Sequence, residues 1–168
     1  MVTKQVSFYE ETTRIPLILC GPGVVGTDRV IDKPLTSLLD LLPSFCDYAG
    51  IEVPSGLWGK SLLPWIAGHD AGSPHDYVAS EWYSEWGFTI SPGRMIRSGR
   101  YKYTRYLEGN GEELYDIIND PGEMSTLVDD PAHAAALAEY RERLDHYCRE
   151  TDDPFFSLAV KVDSRWRS

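Results

Sequence analysis

A lysine, an aromatic–acid–acid triplet and an arginine crowd the start of the chain. They are Lys4, Tyr9-Glu10-Glu11 and Arg14, followed by Pro16 and the apolar run Leu17-Ile18-Leu19-Cys20. Charged loops that feed core strands are where sites tend to be built. Lys4 is a compact point charge on a flexible stem, suited to an anionic group on a ligand. The plain alternative is a solvated terminal lysine. A second cluster, Glu81, Trp82, Tyr83, Glu85 and Trp86, mixes acids with aromatics in a loop-like stretch where sugars or aryl groups could stack. The alternative there is that the rings pack beneath another domain. His69 and His75 neighbour Asp70 and Asp76. A metal site is conceivable, but paired histidines in a polar loop are ordinarily solvated, and no ligand spacing accompanies them. Cys20, Cys46 and Cys148 cannot all pair and form no C-x-x-C, so they read as mostly buried reduced thiols.

The elements that must position these residues follow from pattern. Arg14 to Cys20 reads as a strand, opened by Pro16 where no ladder donor is needed. Its unbroken apolar run suits a strand covered on both faces. Gly21-Pro22-Gly23 ends it. Ser37 with Asp40 forms a capping-box pattern for a helix within residues 37–49. Leu38, Leu39, Leu41, Leu42, Phe45, Cys46 and Ala49 give that helix a wide apolar face, which predicts a core helix. Pro43 either kinks it or lies in its first turn, and Gly50 is a natural stop. Residues 51–75, punctuated by Pro and Gly, read as connection, with one helical turn among residues 60–66.

From Tyr77 the texture changes to short alternating runs. Residues 77–83, 93–97, 101–107 and 113–117 are rich in strand formers. Tight turns at Ser98-Gly99-Arg100 and Gly109-Asn110-Gly111 join the later ones into an antiparallel meander. Tyr101, Tyr103, Leu107, Leu114 and Ile117 are its expected covered face. Asp130 as N-cap and Pro131 at the first position open a helix over residues 131–150. Ala134, Leu137, Ala138, Tyr140, Arg141, Leu144, Tyr147 and Cys148 form the stripe that should lie across the meander, with Glu139, Arg143, Asp145 and Glu150 toward water. Phe155, Phe156 and Trp166 suggest that part of the tail docks.

The chain has 168 residues, 42% hydrophobic and 25% charged, the balance of a globular protein with a real core. A formal net charge of −10 argues against a nucleic-acid binder, which would need a basic face, and against anionic membrane surfaces. No apolar run is long enough to cross a bilayer, and no signal peptide opens the sequence, so the compartment is left undetermined.

Four stretches, in order, make the chain similar to the C-terminal portion of a sulfatase of the alkaline-phosphatase-like superfamily. The first runs from Lys4 through Tyr9-Glu10-Glu11 and Arg14 to Pro16-Leu17-Ile18. The second is Thr36–Gly50, resembling an Asp-Leu-Leu-Pro helix that ends in Ala-Gly. The third is Gly93–Tyr103. The fourth joins Glu113-Leu114-Tyr115-Asp116 to Asn119-Asp120-Pro121-Gly122-Glu123. The resemblance implies an α/β fold, α+β within this chain. It would hold a remnant of the superfamily's parallel sheet (residues 1–76, the end of the catalytic domain) and a C-terminal subdomain (residues 77–168) of antiparallel meander and long helix.

It also implies roles. The lysine matching Lys4 contacts the sulfate of a sulfate-ester substrate, and Glu81, Trp82, Tyr83, Glu85 and Trp86 are candidates for the substrate rim. The complete enzyme would use calcium and a formylglycine made from Cys or Ser in a Cys/Ser-x-Pro-x-Arg motif. Neither is expected in this chain: Cys20-Gly21-Pro22-Gly23-Val24 has Val where the arginine belongs, and the metal-binding motifs lie upstream in such proteins. The missing N-terminal catalytic portion is therefore the expected partner, and the chain alone is expected to be inactive. Two departures stand out. Four residues separate Lys4 from Tyr9, one more than is commonest, and Thr126 replaces the usual Asn before Leu127. Left without neighbours, the residue 14–20 strand would be an apolar edge inviting self-association. Alternatives are a non-catalytic binding module, or part of a phosphodiesterase or phosphonate monoester hydrolase of the same superfamily.

Overall fold

A computed structural model describes residues 7–21, 29–32, 35–69, 72–82, 92–107 and 111–158. The chain divides into two compact units, Pro16–Val78 and the combination of Met1–Ile15 with Ala79–Ser168. The described part of the first fifteen residues thus belongs with the C-terminal unit.

That unit is built on a four-stranded sheet in the order β1 (Val78–Trp82), β2 (Gly93–Arg97), β3 (Tyr101–Tyr106) and β4 (Glu112–Asp116). β2–β3 and β3–β4 pair antiparallel, with Ile96 opposite Tyr103 and Tyr103 opposite Leu114. This is the expected meander, and the architecture is α+β. Side chains alternate across a sheet, so register sorts them onto two faces. Arg94, Ile96, Tyr101, Tyr103, Arg105, Glu112 and Leu114 share one. Gly93, Met95, Arg97, Lys102, Thr104, Tyr106, Glu113 and Tyr115 share the other.

Helix α4 (Ala134–Glu150) covers the first face. It is entered through a 3-10 turn at Pro131–His133 that Asp130 caps by accepting from the Ala132 amide. Leu137, Tyr140, Leu144 and Cys148 are its buried stripe. Ala134, Ala138 and Arg141 are exposed rather than buried, and Arg141 ion-pairs with Glu112. Asp145, expected to face water, turns to Arg105 at 3.7 Å. Tyr140 hydrogen-bonds Ser98 in the β2–β3 turn. Past α4, Phe155 opens the short helix α5 (Phe155–Leu158) and is fully buried. The expected docking of the tail is met at this residue; Trp166 lies outside the described residues.

The second face is covered by residues 7–14, including the helical turn α1 (Glu10–Thr13). Both faces are therefore occupied. This explains why β2 shows buried positions from Gly93 through Ile96 rather than alternation.

The other unit holds a 3-10 turn (Leu38–Asp40), α2 (Leu41–Tyr48) and α3 (Leu63–Ile66). The Ser37–Asp40 capping box forms in both directions, Pro43 sits near the start of α2, and Gly50 terminates it at φ +66°. Asp40 is fully buried. Its Oδ2 accepts from the Ser37 amide, and its Oδ1 accepts from the Lys60 amide and meets His75 Nε2, all at 2.8 Å. Ser44 extends the node, donating to the Asp40 carbonyl and accepting from the Leu62 amide.

Two expectations fail here. Residues 14–20 form no strand, and Ile18 is 85% exposed. A strand exists only with a neighbour to share its ladder, and no described residue pairs with this segment. The α2 face is not core either. Leu38, Leu39, Leu42, Phe45 and Tyr48 are all exposed, while the side buried within the unit carries Asp40, Pro43 and Ser44. The apolar periodicity is real, but what would cover it is not among the described residues. No helix among the described residues is long and apolar enough to cross a membrane.

Candidate functional site

The N-terminal arm lies on the sheet through an aromatic anchor and an ionic one. Phe8 is 5% exposed and stacks at a tilt on Tyr106, 6.0 Å between centroids. The space exists because position 93 is glycine: a Cβ there would stand 2.7 Å from the Phe8 ring. Tyr9 packs against Tyr115 and donates a long 3.4 Å hydrogen bond to Glu113. Burial raises the Glu113 carboxyl above its ordinary value. The Tyr9 hydroxyl opposes that rise and the Glu123 carboxylate adds to it.

Glu10 makes the ionic anchor. Its Oε1 lies 3.1 Å from Arg97 Nε and 3.3 Å from Lys102 Nζ. Lys102 also meets Glu123 Oε1 at 2.5 Å, off the hydrogen-bonding direction, and both side chains are 1% exposed. Glu123 Oε2 accepts from the Glu10 amide at 2.6 Å, satisfying the first N–H of α1 from a distant loop. Arg97 and Lys102 stand directly opposite each other on β2 and β3, a like-charge pair that would be repulsive alone. Two carboxylates from outside the sheet neutralise it. Such a cluster holds and orients backbone; every charge in it is countered.

Three of the four resembling stretches meet at this point: Glu10 from the first, Arg97 and Lys102 from the third, Glu123 from the fourth. Of these only Glu10, in the Tyr9-Glu10-Glu11 triplet, stood among the residues chosen for their chemistry. The signal was there, since Lys102 lies between Tyr101 and Tyr103 in a run of strand formers, and a cation in a covered strand needs a partner.

Of the candidates drawn from sequence, Lys4, Tyr83, Glu85 and Trp86 lie outside the described residues. Glu81 and Trp82 are successive on β1, so their side chains leave opposite faces. Glu81 accepts from Tyr147 Oη at 2.6 Å, and the Trp82 carbonyl accepts from Arg94. His75 is engaged with Asp40, and His69 is described while Asp70 is not. Among the described residues no group of three or more His, Cys, Asp or Glu could hold a metal ion. Cys20 is exposed, Cys46 half-buried and Cys148 buried; burial pushes the Cys148 thiol up to about 11. These donors do not fit calcium, and Cys20 lacks the arginine of a formylglycine motif.

Comparison with known proteins gives the family. The family model "N-sulphoglucosamine sulphohydrolase, C-terminal" matches residues 3–150. A Delta 4,5-hexuronate-2-O-sulfatase of Bacteroides thetaiotaomicron is 50% identical over 100% of this chain and 35% of that protein. A choline-sulfatase of Rhizobium meliloti is 32% identical over 96% of this chain and 31% of that protein. The solved structure of a 2-O GAG sulfatase superposes with a TM-score of 0.90 at 50% identity, covering 100% of this chain and 36% of that one. The chain thus spans about a third of the length of the curated relatives it matches. With the family model covering most of its residues, it belongs to the N-sulphoglucosamine sulphohydrolase C-terminal family of sulfatases.

Proposed function

We propose that the chain is the C-terminal part of a sulfuric ester hydrolase, and that the ester is a 2-O-sulfated unsaturated hexuronate at the end of a glycosaminoglycan-type saccharide. The observation that carries this reading is the 50% identity, along the whole chain, to a Delta 4,5-hexuronate-2-O-sulfatase. Lys4 supplies a cation to the sulfate oxygens, where charge develops as the ester oxygen departs. Glu81, Trp82, Tyr83, Glu85 and Trp86 contribute to the rim that selects the sugar. Calcium and formylglycine are held by the rest of the enzyme, as the family implies, and the 168 residues alone are inactive.

The N-terminal catalytic portion is the partner. It covers the exposed α2 face of Leu38, Leu39, Leu42 and Phe45 and supplies sheet neighbours for residues 14–20. In support, those apolar side chains are exposed, and relatives aligned over nearly all of this chain are about three times as long.

The test is to express the gene with its upstream region and assay a 2-O-sulfated Δ4,5-hexuronate disaccharide against an aryl sulfate, choline sulfate and a phosphonate monoester. The disaccharide should be preferred. Lys4→Ala should lower turnover on the order of a hundredfold. Preference for the phosphonate ester, an unchanged rate in Lys4→Ala, or activity from the 168 residues alone would each overturn the corresponding part.

A further inference from the structure

We infer that Tyr147 is a positioning residue for saccharide recognition: its hydroxyl holds one oxygen of Glu81 and leaves the other to accept from a sugar hydroxyl. The inference rests on the place given above to Glu81 in the rim that selects the sugar. Its own support lies in how the end of β1 is held.

Tyr147 Oη donates to Glu81 Oε1 at 2.6 Å, the length of a charge-assisted bond to a carboxylate. Among the described residues nothing else donates to that carboxylate, and Glu81 is exposed. A charged carboxylate only accepts, and both of its oxygens can do so. Sugar hydroxyls are donors of the matching kind. With Oε1 occupied, Oε2 is left as an acceptor on a side chain already held in place.

The donor is itself well fixed. Tyr147 lies in the last turn of α4, beside the buried Cys148 and one turn from the buried Leu144. Its carbonyl accepts from the Thr151 amide at 3.0 Å and from Thr151 Oγ1 at 2.8 Å. Burial, and then the Glu81 carboxylate, raise its hydroxyl above the ordinary value, so it remains a donor across neutral pH. The backbone at the strand end is held as well, since the Trp82 carbonyl accepts from Arg94 Nη1 at 3.1 Å. β1 is the outermost strand of its sheet. Its last two residues are nevertheless fixed twice from outside, through the main chain by β2 and through the Glu81 side chain by α4.

Water would satisfy an exposed carboxylate on its own. What the hydroxyl adds is direction. A glutamate is rotamer-rich, and fixing such a side chain only when the ligand arrives weakens binding by roughly three- to tenfold. Tyr147 settles its place beforehand, and does so without touching the sugar.

The experiment measures kcat and KM of the complete sulfatase on the 2-O-sulfated Δ4,5-hexuronate disaccharide and on an aryl sulfate, which offers no sugar hydroxyl. Tyr147→Phe removes a single oxygen. It should raise KM for the disaccharide roughly three- to tenfold with kcat held, and narrow the preference for disaccharide over aryl sulfate by the same factor. Glu81→Ala should narrow that preference on the order of tenfold or more. Adding Tyr147→Phe to it should change nothing further, since no carboxylate is left to direct. Loss of folded enzyme lowers both rates and cancels in the preference; Tyr147→Met, which also lacks the donor, serves if Tyr147→Phe fails to fold. If Glu81→Ala narrows the preference and Tyr147→Phe does not, or if Tyr147→Phe narrows it equally without Glu81, the hydroxyl does not act through Glu81. The inference then falls and the proposed function stands. If Glu81→Ala keeps the wild-type preference, the rim role of Glu81 falls and takes this inference with it.

Discussion

Removing Asp153 should be among the most damaging single changes to the C-terminal unit. Arg94 on β2 is fully buried, and Asp153, just past α4, is 3% exposed at its side chain. Both Asp153 oxygens meet the Nε–Nη2 edge of the guanidinium, Nη2 donating to Oδ1 at 2.8 Å. The same guanidinium donates to the Trp82 and Gly93 carbonyls and lies 4.8 Å above the Phe155 ring. Asp153 Oδ1 also accepts from the Phe155 amide at 3.0 Å. Breaking a buried ion pair by deleting one partner typically destabilises by about 3–5 kcal/mol, because a charge is left buried. The two carbonyls still hold one edge of Arg94, which places Asp153→Asn near about 3 kcal/mol. Asp153→Ala also loses the Phe155 amide contact, worth roughly 1 kcal/mol for a helix cap, and should reach about 4. Against a total of about 5–15 kcal/mol for an ordinary domain, either loss is large. Urea unfolding followed by far-UV circular dichroism measures it. Arg94→Met should be less harmful once Asp153 is gone, giving a coupling on the order of 1–3 kcal/mol. A loss under about 1 kcal/mol for Asp153→Ala, or strict additivity in the cycle, would refute the reasoning.

Three further outcomes are expected. Gly93→Ala should destabilise by about 1–3 kcal/mol and quicken amide exchange over residues 7–13, since the new Cβ would meet the Phe8 ring at 2.7 Å and Tyr106 at 3.0 Å; normal stability and protection would show that Phe8 does not need that space. Glu113, whose folded carboxyl is raised above 4.5 mainly by burial, holds its proton more tightly folded than unfolded, so its contribution falls as pH rises through and above that value. Glu113→Gln should therefore match the wild type near pH 4 and exceed it in urea midpoint near pH 7; an equal gain at both would place the effect outside titration. The 168-residue chain should self-associate through its exposed apolar face, and Leu42→Lys with Phe45→Lys should lower the mass seen by light scattering; a monomeric wild type would contradict this.

What was legible in the sequence is what is local. The Ser37–Asp40 box, the Asp130 cap, the Gly50 stop and the four strands depend on neighbours a few residues apart, and each forms where pattern placed it. What was not legible depends on distant partners. The α2 face and residues 14–20 carry correct apolar patterns for a core that these described residues do not complete. Register decided the ionic cluster: the pairing of Arg97 with Lys102 is invisible until β2 and β3 are aligned. Asp145 was assigned to water for the same reason, its partner Arg105 lying on a strand 40 residues earlier.

Register also explains why the arm belongs to this unit. The β2–β3 ladder sets Arg94 opposite Arg105 on one face and Arg97 opposite Lys102 on the other. Each is a like-charge cross-strand pair that disfavours the bare sheet. On the first face the compensation comes from beyond the strands, as Asp153 for Arg94 and Asp145 for Arg105, with Phe155 and Phe156 beneath the two guanidinium groups. On the second it comes from Glu10 and Glu123. Across the β2–β3 ladder the bases thus sit in the sheet and their acids in the covers, so a chain of net charge −10 carries two like-charge cationic pairs on its central strands. The sheet cannot be fully stable until both covers are seated. Folding of the meander therefore draws in the α4–α5 layer and the N-terminal arm, and the segment that follows Lys4 is the one the ladder requires.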